Sequence, residues 1–319
     1  MLNPVAVLGN PRNKKWGENM EDIHIMEALG KSKIVVKNGK VVEVGEPLIK
    51  YCPLFAKHRG INELNKDTIK ENIEFRIKEF GLFTENRVVE TKEYVVGFGT
   101  SEIFLTALKN KLLDAVVIVS DCAGTIITDN PYLVQGLCGR ISGIIKTTPI
   151  PKVIEKIENA GGVVLNKENA EINQYKGVKK ALELGYKKIG VSIGNLEDAK
   201  KIKELENQII TNAECSIKAK SDPVQDVKII TFGVHTTGYS KLEFKKFVKY
   251  FDLTTCCASK GVLGAVKGHV KIQVGKSVPI FALSQNGKEL IIERMKELER
   301  PLLITPNDEL PVVKGDFYI

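Results

Sequence analysis

The chain has 319 residues, a formal net charge of +8 and 43% hydrophobic residues. This composition is ordinary for a globular protein and excludes disordered and fibrous classes. The longest apolar stretches, such as residues 115–119, are too short to cross a bilayer, and the N-terminal sequence carries no apolar signal segment, which predicts a cytoplasmic location. The positive charge is mostly lysine interleaved with glutamate, without a basic tract rich in aromatic residues. A solvated charged surface is therefore favoured over nucleic-acid binding.

The cysteines do not follow the spacing of a zinc or iron–sulfur site, and no C-x-x-C occurs. They lie at positions 52, 122, 138, 215, 256 and 257. A reducing cytoplasm keeps such thiols free, so a disulfide framework is not expected. Cys138 and Cys215 lie within apolar or amphipathic patterns, which predicts a structural role for both.

Residues 1–93 form an N-terminal segment whose first part is weakly patterned. Residues 33–44 predict a β-hairpin, because Asn38 and Gly39 between two apolar runs are typical of a type I′ turn. The apolar positions of residues 66–80 recur with helical periodicity and predict a helix.

From residue 94 onwards strand and helix patterns alternate, which predicts an α/β domain over residues 94–319. We expect a mainly parallel sheet with helical crossovers and the N-terminal hairpin packed at its edge. The predicted strands are residues 94–96, 115–119, 163–165, 188–193, 208–210, 228–234, 270–274 and 279–283. The predicted helices are residues 101–111, 151–160, 175–184, 196–205, 241–250 and 288–299. A capping box at Ser240 and Glu243 marks the start of the fifth helix.

Ligands of open α/β sheets bind where strands end, so the segments after the predicted strands are the candidate sites. The first contains Gly97, Gly99, Thr100 and Ser101, whose backbone N–H groups at a helix start suit a phosphate or carboxylate. It lacks the third glycine of a dinucleotide motif and the lysine of a P-loop. A simple helix N-cap explains the same residues equally well.

The second candidate follows the apolar strand at residues 115–119. It places Asp121 and Cys122 as candidate catalytic groups, with Gly124 and Thr125 as candidate cofactor contacts. The alternative interpretation is a tight connection between two elements.

The third candidate is the glycine-rich stretch over residues 135–143. Each glycine costs a helix about 1 kcal/mol relative to alanine, so Gly136 and Gly139 indicate a close approach to another backbone or to a flat ligand. Arg140 is then a candidate partner for an anion. Packing of a helix on the sheet is the competing explanation.

The fourth candidate joins residues 234–240 to residues 255–261. His235 leaves a predicted strand just before a capped helix and is a candidate base or ligand contact. Cys256 and Cys257 precede a short segment in which helix N–H groups or Lys260 could lower a thiol pKa. The alternative for His235 is a turn residue that bonds a nearby carbonyl.

Several segments resemble the methanogenesis marker protein 8 family. They are VKNGKVVEVGEPL at 36–48, YCPLF at 51–55, NIEFR at 72–76, GLCGRISG at 136–143 and CASK at 257–260. The resemblance covers most of the chain from about residue 20. It implies a methanogenic archaeon, an anoxic cytoplasm and a link to methane metabolism, without a defined activity.

A partial resemblance links the chain to the beta subunit of deazaflavin-reducing hydrogenases. It rests on residues 99–108, 115–119, 128–131, 149–151, 188–193 and 230–235. Such subunits bind flavin and an iron–sulfur cluster and pass hydride to the deazaflavin coenzyme. Where they carry Thr-Pro-Cys this chain has Ile193, Gly194 and Asn195, and where they carry a later cysteine it has His235. These departures argue against a cluster and leave a flavin-like or deazaflavin-like pocket as the expectation.

Two hypotheses of function follow. In the first, the protein is a redox or cofactor-binding enzyme, with a flat cofactor against residues 136–143 and His235 and the paired cysteines near the chemistry. In the second, it is a non-catalytic assembly or maturation factor for a methanogenesis enzyme complex.

Overall fold

The part of the chain that the computed structural model describes comprises residues 21–140, 143–217, 227–275 and 278–312. It has an α/β fold with two sheets. Its strands are β1 (Ile23–Glu27), β2 (Lys33–Lys37), β3 (Lys40–Val44), β4 (Ala115–Ser120), β5 (Gly124–Thr128), β6 (Gly143–Lys146), β7 (Val163–Val164), β8 (Lys188–Ile193), β9 (Lys228–Gly233), β10 (Leu253–Thr255), β11 (Ile272–Val274) and β12 (Ile280–Ala282). Its α-helices are α1 (Pro53–Arg59), α2 (Lys66–Phe80), α3 (Thr100–Lys109), α4 (Pro131–Leu137), α5 (Pro151–Asn159), α6 (Gln174–Glu183), α7 (Leu196–Ile217), α8 (Lys241–Phe247), α9 (Lys260–Val266) and α10 (Gln285–Lys296).

The larger sheet has the strand order β11-β12-β10-β9-β8-β4-β5-β7. Its four central strands, β10, β9, β8 and β4, are parallel to one another. The flanking strands β5, β7, β12 and β11 pair antiparallel. The prediction of a mainly parallel sheet is therefore not confirmed. The tight turn after β4 and the short return from β11 to β12 create antiparallel edges that need no crossover helix.

Helices cover both faces of the larger sheet because its strands are apolar on both sides. In β4, Val116 and Ile118 pack in one core cluster with residues of α3, α4, α5 and α10. Ala115 and Val117 point the opposite way and pack with residues of α6, α7, α8 and α9. The alternation of side chains along a strand thus places the sheet between two helical layers.

The predicted hairpin is confirmed as β2 and β3, with Asn38 (φ 48°) and Gly39 (φ 69°) in the left-handed region that a type I′ turn requires. Its predicted position at the edge of the larger sheet is wrong. The hairpin belongs to a separate antiparallel sheet with the order β3-β2-β1-β6. Helix α2 packs on that sheet, and Ile69 and Ile73 enter its core cluster.

Several local predictions also differ from the structure. Residues 94–96 lie outside any strand, and residues 208–210 continue helix α7 rather than forming a strand. Residues 143–146 form β6, which begins at the end of the glycine-rich stretch and was not predicted, and β1 lies in the segment that was weakly patterned. Strand β10, which has three residues, and strand β5, which forms a hairpin with β4, were not predicted. Tertiary pairing stabilises these short strands, and local propensity does not reveal it.

None of the helices in the described part of the chain combines the length and apolar character that crossing a membrane requires.

Candidate functional site

A cavity of about 890 Å³ lies where the four parallel strands end. Near the strand ends, the wall includes Val119 of β4, Ser192 of β8 and Thr255 of β10. Gly194 comes directly after β8, and Val234 and His235 come directly after β9. Parallel strands direct their carboxyl ends and the following loops to the same edge of a sheet, where open α/β sheets bind their ligands. Further parts of the wall come from the loop before α3, the segment around β6, helix α1, the connection between β11 and β12, and the end of α10 with the residues after it.

The first predicted segment lines this cavity. Gly97, Gly99, Thr100 and Ser101 all contribute to the wall, and α3 begins at Thr100 with Gly99 as its N-cap. A Cβ on Gly99 would meet Glu102 Oε2 at 2.3 Å, so only glycine lets the carboxylate reach back over the helix start. Gly99, Thr100 and Ser101 therefore form the start of α3 and also line the cavity.

His235 lies at the cavity wall with an unusual backbone conformation. Its φ of 54° is in the left-handed region that non-glycine residues rarely adopt. The imidazole packs on Gly143, where a Cβ would meet the ring Cγ at 3.1 Å. His235 Nδ1 lies 3.6 Å from Glu27 Oε1. Since Glu27 is opposite Gly143 in the β1–β6 register, pairing of the smaller sheet sets the position of the histidine.

Glu27 is the acidic partner of a small charged cluster. Burial by itself would raise the pKa of Glu27, but the neighbouring His235 and Lys31 bring that pKa below its ordinary value. Lys31 Nζ lies 3.5 Å from Glu27 and donates to the carbonyl of Thr237. The smaller sheet therefore holds the loop after β9 through both side-chain and backbone groups.

The structure brings the two halves of the fourth predicted site together. Thr236 donates to the carbonyl of Thr255 at 2.8 Å, and Thr237 donates to the carbonyl of Cys257. Cys257 lines the cavity, whereas Cys256 is buried in the core cluster on the helical side formed by α6 to α9. Lys260 begins α9 with an exposed side chain and is not part of the cavity wall.

The pKa shift of both thiols has the opposite direction to the lowering considered from the sequence. Burial raises the pKa of Cys256 to about 12, and burial with the neighbouring Cys256 raises that of Cys257 to about 12. Cys138, predicted to be structural, also lines the cavity, and burial raises its pKa to about 12. A buried thiol loses more solvation on ionisation than its neighbours return, so these cysteines stay protonated at neutral pH.

Asp121 and Cys122 lie in a buried network rather than at the cavity. Asp121 Oδ1 accepts from Arg87 Nε at 2.9 Å, and Oδ2 accepts from the Phe83 N–H at 2.8 Å. Burial works against the charge of Asp121, but the Arg87 guanidinium, the Phe83 N–H and His24 together outweigh it and lower the pKa of that carboxyl. Burial first, and then Asp121, raises the pKa of Cys122 well above its ordinary value. The tight-connection interpretation accounts for this turn, in which Cys122 has a φ of 66°.

Cys122 and Cys256 do not form a shared thiol site, although both follow strands of the larger sheet. Cys122 packs in the core cluster of α3, α4, α5 and α10, and Cys256 packs in the cluster of the opposite face. Strands β9 and β8 separate the strands that carry them, a distance of about 14 Å at the usual strand spacing.

Of the remaining predicted cofactor contacts, Gly124, Thr125 and Gly136 make internal contacts, and Gly139 lines the cavity. Thr125 accepts a hydrogen bond from the Asn173 N–H at 2.8 Å, and a Cβ on Gly124 would meet the carbonyl of Ala170 at 2.2 Å. A Cβ on Gly136 would meet the carbonyl of Val89 at 2.1 Å, which is the predicted close approach to another backbone.

Gly139 lines the cavity beside Ser101. The Arg140 side chain and the Cys215 side chain lie outside the described part of the molecule.

The described residues hold no group of three or more His, Cys, Asp or Glu side chains placed to bind a metal ion.

A family model described as "Uncharacterized protein conserved in archaea (DUF2099)" matches residues 24–296. The chain belongs to this archaeal family. It is also similar to the uncharacterized protein MJ0054 of Methanocaldococcus jannaschii, with 61% identity over 295 residues that cover 92% of this chain and 98% of the relative. No solved structure matches the chain.

Sequence reasoning missed several residues that shape the site of this family member. Tyr94, Arg294 and Glu102 line the cavity, and Glu27 contacts His235 from the smaller sheet. The buried charges of Glu102 and Arg294 carried a usable signal, because each interrupts an otherwise apolar helical pattern. Glu27 carried none, since its role depends on the pairing of β1 with β6.

Proposed function

We propose that this protein binds a flat redox cofactor of the flavin or deazaflavin type and takes part in the methane metabolism of archaea. The observation that carries the proposal is the cavity of about 890 Å³ at the carboxyl ends of the parallel strands. Small-molecule sites usually have volumes of about 300–1,000 Å³ and combine apolar walls with a few polar groups.

The glycines of the cavity support a flat ligand. A Cβ on Gly97 or Gly194 would meet nothing closer than 3.7 Å, so these positions border open space rather than packed atoms. Gly139 and Gly143 do not border open space. Ser101 packs against Gly139, and the His235 ring packs against Gly143. We therefore expect a planar ring system to lie near Gly97 and Gly194, with the His235 imidazole also at the cavity wall.

The side chains around the cavity suit binding and proton transfer better than covalent attack. Cys138 and Cys257 are held as thiols by their burial, whereas His235 is paired with a carboxylate and is partly exposed. A flavin or deazaflavin would supply hydride transfer. His235 would then donate or accept a hydrogen bond at the edge of the ring.

The metabolic part of the proposal rests on similarity. The related protein at 61% identity comes from a methanogen, and the sequence resembles the methanogenesis marker protein 8 family. The partial resemblance to the flavin-binding hydrogenase subunit supports the ligand class. We do not propose an iron–sulfur cluster, because Asn195 and His235 replace two cysteines of such subunits.

The test is the absorbance spectrum of the protein purified without oxygen, followed by titration of the colourless protein with FMN and with a 5-deazaflavin. We expect flavin or deazaflavin absorbance in the isolated protein, or saturable binding of one of the two probes. A colourless protein that binds neither probe would contradict the proposal.

A cavity-filling variant shows where any probe binds. Gly194→Phe adds a ring in the open space of the cavity, and we expect it to abolish probe binding. Leu242→Phe adds an equivalent ring at an exposed position, where Leu242 is 77% exposed, and should bind the probe as the wild type does.

A non-catalytic assembly factor is the second candidate. It is favoured by an exposed apolar segment after α10, in which Leu303 and Ile304 are largely solvent-exposed and Leu302 is partly exposed. Such a patch is typical of a protein–protein contact. A colourless protein that co-purifies with a methanogenesis enzyme complex would support this candidate over the first.

A further inference from the structure

The loop that precedes α3, residues 93–99, is held in place more firmly than its irregular backbone suggests. It contains no helix or strand, yet it forms part of the cavity wall. Three side chains that are almost fully buried, Glu102, Gln135 and Arg294, hydrogen-bond its backbone from three different helices.

Each of these side chains fixes a different part of the loop. Gln135 donates to the carbonyl of Glu93 at 3.0 Å. Glu102 Oε1 accepts from the N–H groups of Val95 at 3.1 Å and Val96 at 3.3 Å. Arg294 Nε donates to the carbonyl of Gly97 at 2.9 Å. The backbone is therefore fixed on both sides of Tyr94.

The buried groups also support one another. Gln135 donates to Glu102 Oε1 at 3.0 Å, and Ser101 donates to Glu102 Oε2 at 2.9 Å. Burying a carboxylate and a guanidinium is costly unless their hydrogen bonds are made. The backbone groups of the loop supply part of the hydrogen bonds that offset this cost, so the buried charges favour one conformation of the loop, as in a preorganised recognition element.

The hydrogen bonds to the loop place Tyr94 at the cavity wall. The Arg294 guanidinium lies over the Tyr94 ring, with Cζ 4.4 Å from the ring centroid. Arg294 is itself fixed by Thr106, which accepts from Nη1 at 3.2 Å. Tyr94 is nevertheless 47% exposed and lines the cavity. One face of the ring thus lies against a buried cation, while the ring remains partly exposed at the cavity wall.

We propose that Tyr94 is a stacking platform that recognises a planar heteroaromatic ring in the cavity. A phenol ring gains dispersion and electrostatic energy from a flat, electron-poor ring placed face to face with it. The guanidinium favours one orientation of the ring, so less rotational entropy is lost when the ligand stacks. This inference rests on the proposed cavity function and names the ring chemistry that the site selects.

The test compares three substitutions at Tyr94 by titration with FMN, with a 5-deazaflavin and with AMP. Tyr94→Leu keeps apolar volume but removes the ring, and its dissociation constant for the bound probe should rise about tenfold or more, as for other aromatic–base stacks. Tyr94→Phe and Tyr94→Trp keep a ring and should bind within about threefold of the wild type. Flavin fluorescence, quenched on binding to the wild type, should recover in Tyr94→Leu alone.

A matched control comes from helix α2. Phe75 is also a partly exposed ring under an arginine, with Arg59 Cζ 3.7 Å from its centroid, but it does not line the cavity. Phe75→Leu should leave binding of every probe unchanged. Circular dichroism and the melting temperature verify that each variant folds.

The outcomes separate this inference from the proposed function. Binding of FMN or the deazaflavin that is equal in wild type and Tyr94→Leu overturns the stacking role and leaves the proposed function standing. Tyr94-dependent binding of AMP alone supports stacking and overturns the flavin-type ligand. A wild-type protein that binds none of the three probes overturns both.

Discussion

His235 is the clearest case of a single residue whose position depends on its neighbours. Its left-handed backbone, with φ 54°, turns the chain at the end of β9, and its ring packs on Gly143 beside Glu27. Non-glycine residues in this conformation concentrate at functional sites, because the surrounding structure must compensate for the strain. The position of His235 at the cavity wall is compatible with a ligand contact. The carboxylate of Glu27, 3.6 Å from His235 Nδ1, would orient the ring.

The substitution His235→Asn separates a ligand contact from a turn residue. Asparagine tolerates the left-handed region well, so we expect the melting temperature to stay within about 2 °C of the wild type. Asparagine keeps a donor and an acceptor but is shorter than histidine, so its amide should not reach a group that the imidazole contacts. The dissociation constant for FMN or the 5-deazaflavin should then rise about tenfold. Unchanged ligand binding, with unchanged complementation of a deletion strain, would leave His235 as a turn residue only.

His24 is a second histidine with a physical role that its sequence position does not reveal. It is fully buried, and its Nδ1 lies 2.7 Å from Thr147 Oγ1 while its Nε2 lies 2.8 Å from Asp22. Burial lowers the pKa of His24, despite opposing effects of Asp22 and Asp121. The folded protein therefore holds this imidazole neutral more strongly than the unfolded chain does.

This shift predicts acid sensitivity. A lowered folded-state pKa contributes stability above the unfolded value near 6.5, and that stability is lost as pH falls through this value toward the folded pKa. We expect the free energy of unfolding to fall between pH 7 and 5 by up to about 1.4 kcal/mol per pH unit. The lowered pKa of Asp121 adds a separate loss only below about pH 4.

Urea unfolding at several pH values measures the effect. His24→Gln should flatten the dependence between pH 7 and 5, whereas His269→Gln, at an exposed position, should leave it unchanged. Equal slopes in the wild type and His24→Gln would show that another group is responsible.

At the scale of elements, Gly136 shows why a residue of low helix propensity occurs within α4. Gly136 lies inside α4 and is buried against the backbone of Val89. A helix gains about 1 kcal/mol from alanine at such a position, but here the extra methyl group has no room. The close contact of α4 with the segment that carries Arg87 and Val89 therefore outweighs helix propensity.

Gly136→Ala tests this balance. The Cβ would lie 2.1 Å from the Val89 carbonyl oxygen, and backbone on both sides must move. We expect a loss of about 1–3 kcal/mol in the free energy of unfolding. Gly97→Ala is the matched control, because its Cβ meets only Leu298 Cδ2 at 3.7 Å and should change stability by less than about 0.5 kcal/mol. A neutral Gly136→Ala would show that the helix shifts freely.

At the scale of the whole molecule, the N-terminal segment and the α/β part are joined by shared elements. Strand β6 comes from the later part of the chain but pairs with β1 in the smaller sheet. Asp121, at the end of β4, holds Arg87 and the N–H of Phe83 from the N-terminal segment. Removing one partner of a buried ion pair typically costs about 3–5 kcal/mol.

Division of the chain at the predicted boundary between residues 93 and 94 tests this coupling. The fragment 94–319 would leave β6 without β1 and Asp121 without its guanidinium, so we expect it to be insoluble or to lack a cooperative unfolding transition. Co-expression with fragment 1–93 should restore a soluble complex. A fragment 94–319 that unfolds cooperatively with the wild-type midpoint would show two independent units.

Local signals in the sequence determined the elements that depend on local chemistry. The turn at Asn38 and Gly39, the helix at residues 66–80 and the start of α8 at Ser240 were all predictable, because turn geometry, apolar periodicity and capping each act over a few residues. The end of β9 was predictable in the same way, and with it the placement of His235 at the carboxyl edge of the sheet.

Tertiary structure alone decided which of these residues meet. The pairing of β1 with β6, more than a hundred residues apart, brought Glu27 to His235 and moved the hairpin into its own sheet. Asp121 is buried in an ion pair with Arg87, and the Arg294 side chain from α10 packs over the Tyr94 ring. Such contacts arise because folding selects the pairing that satisfies buried charges and apolar faces together, and that choice is made between segments distant in the sequence rather than within any one of them.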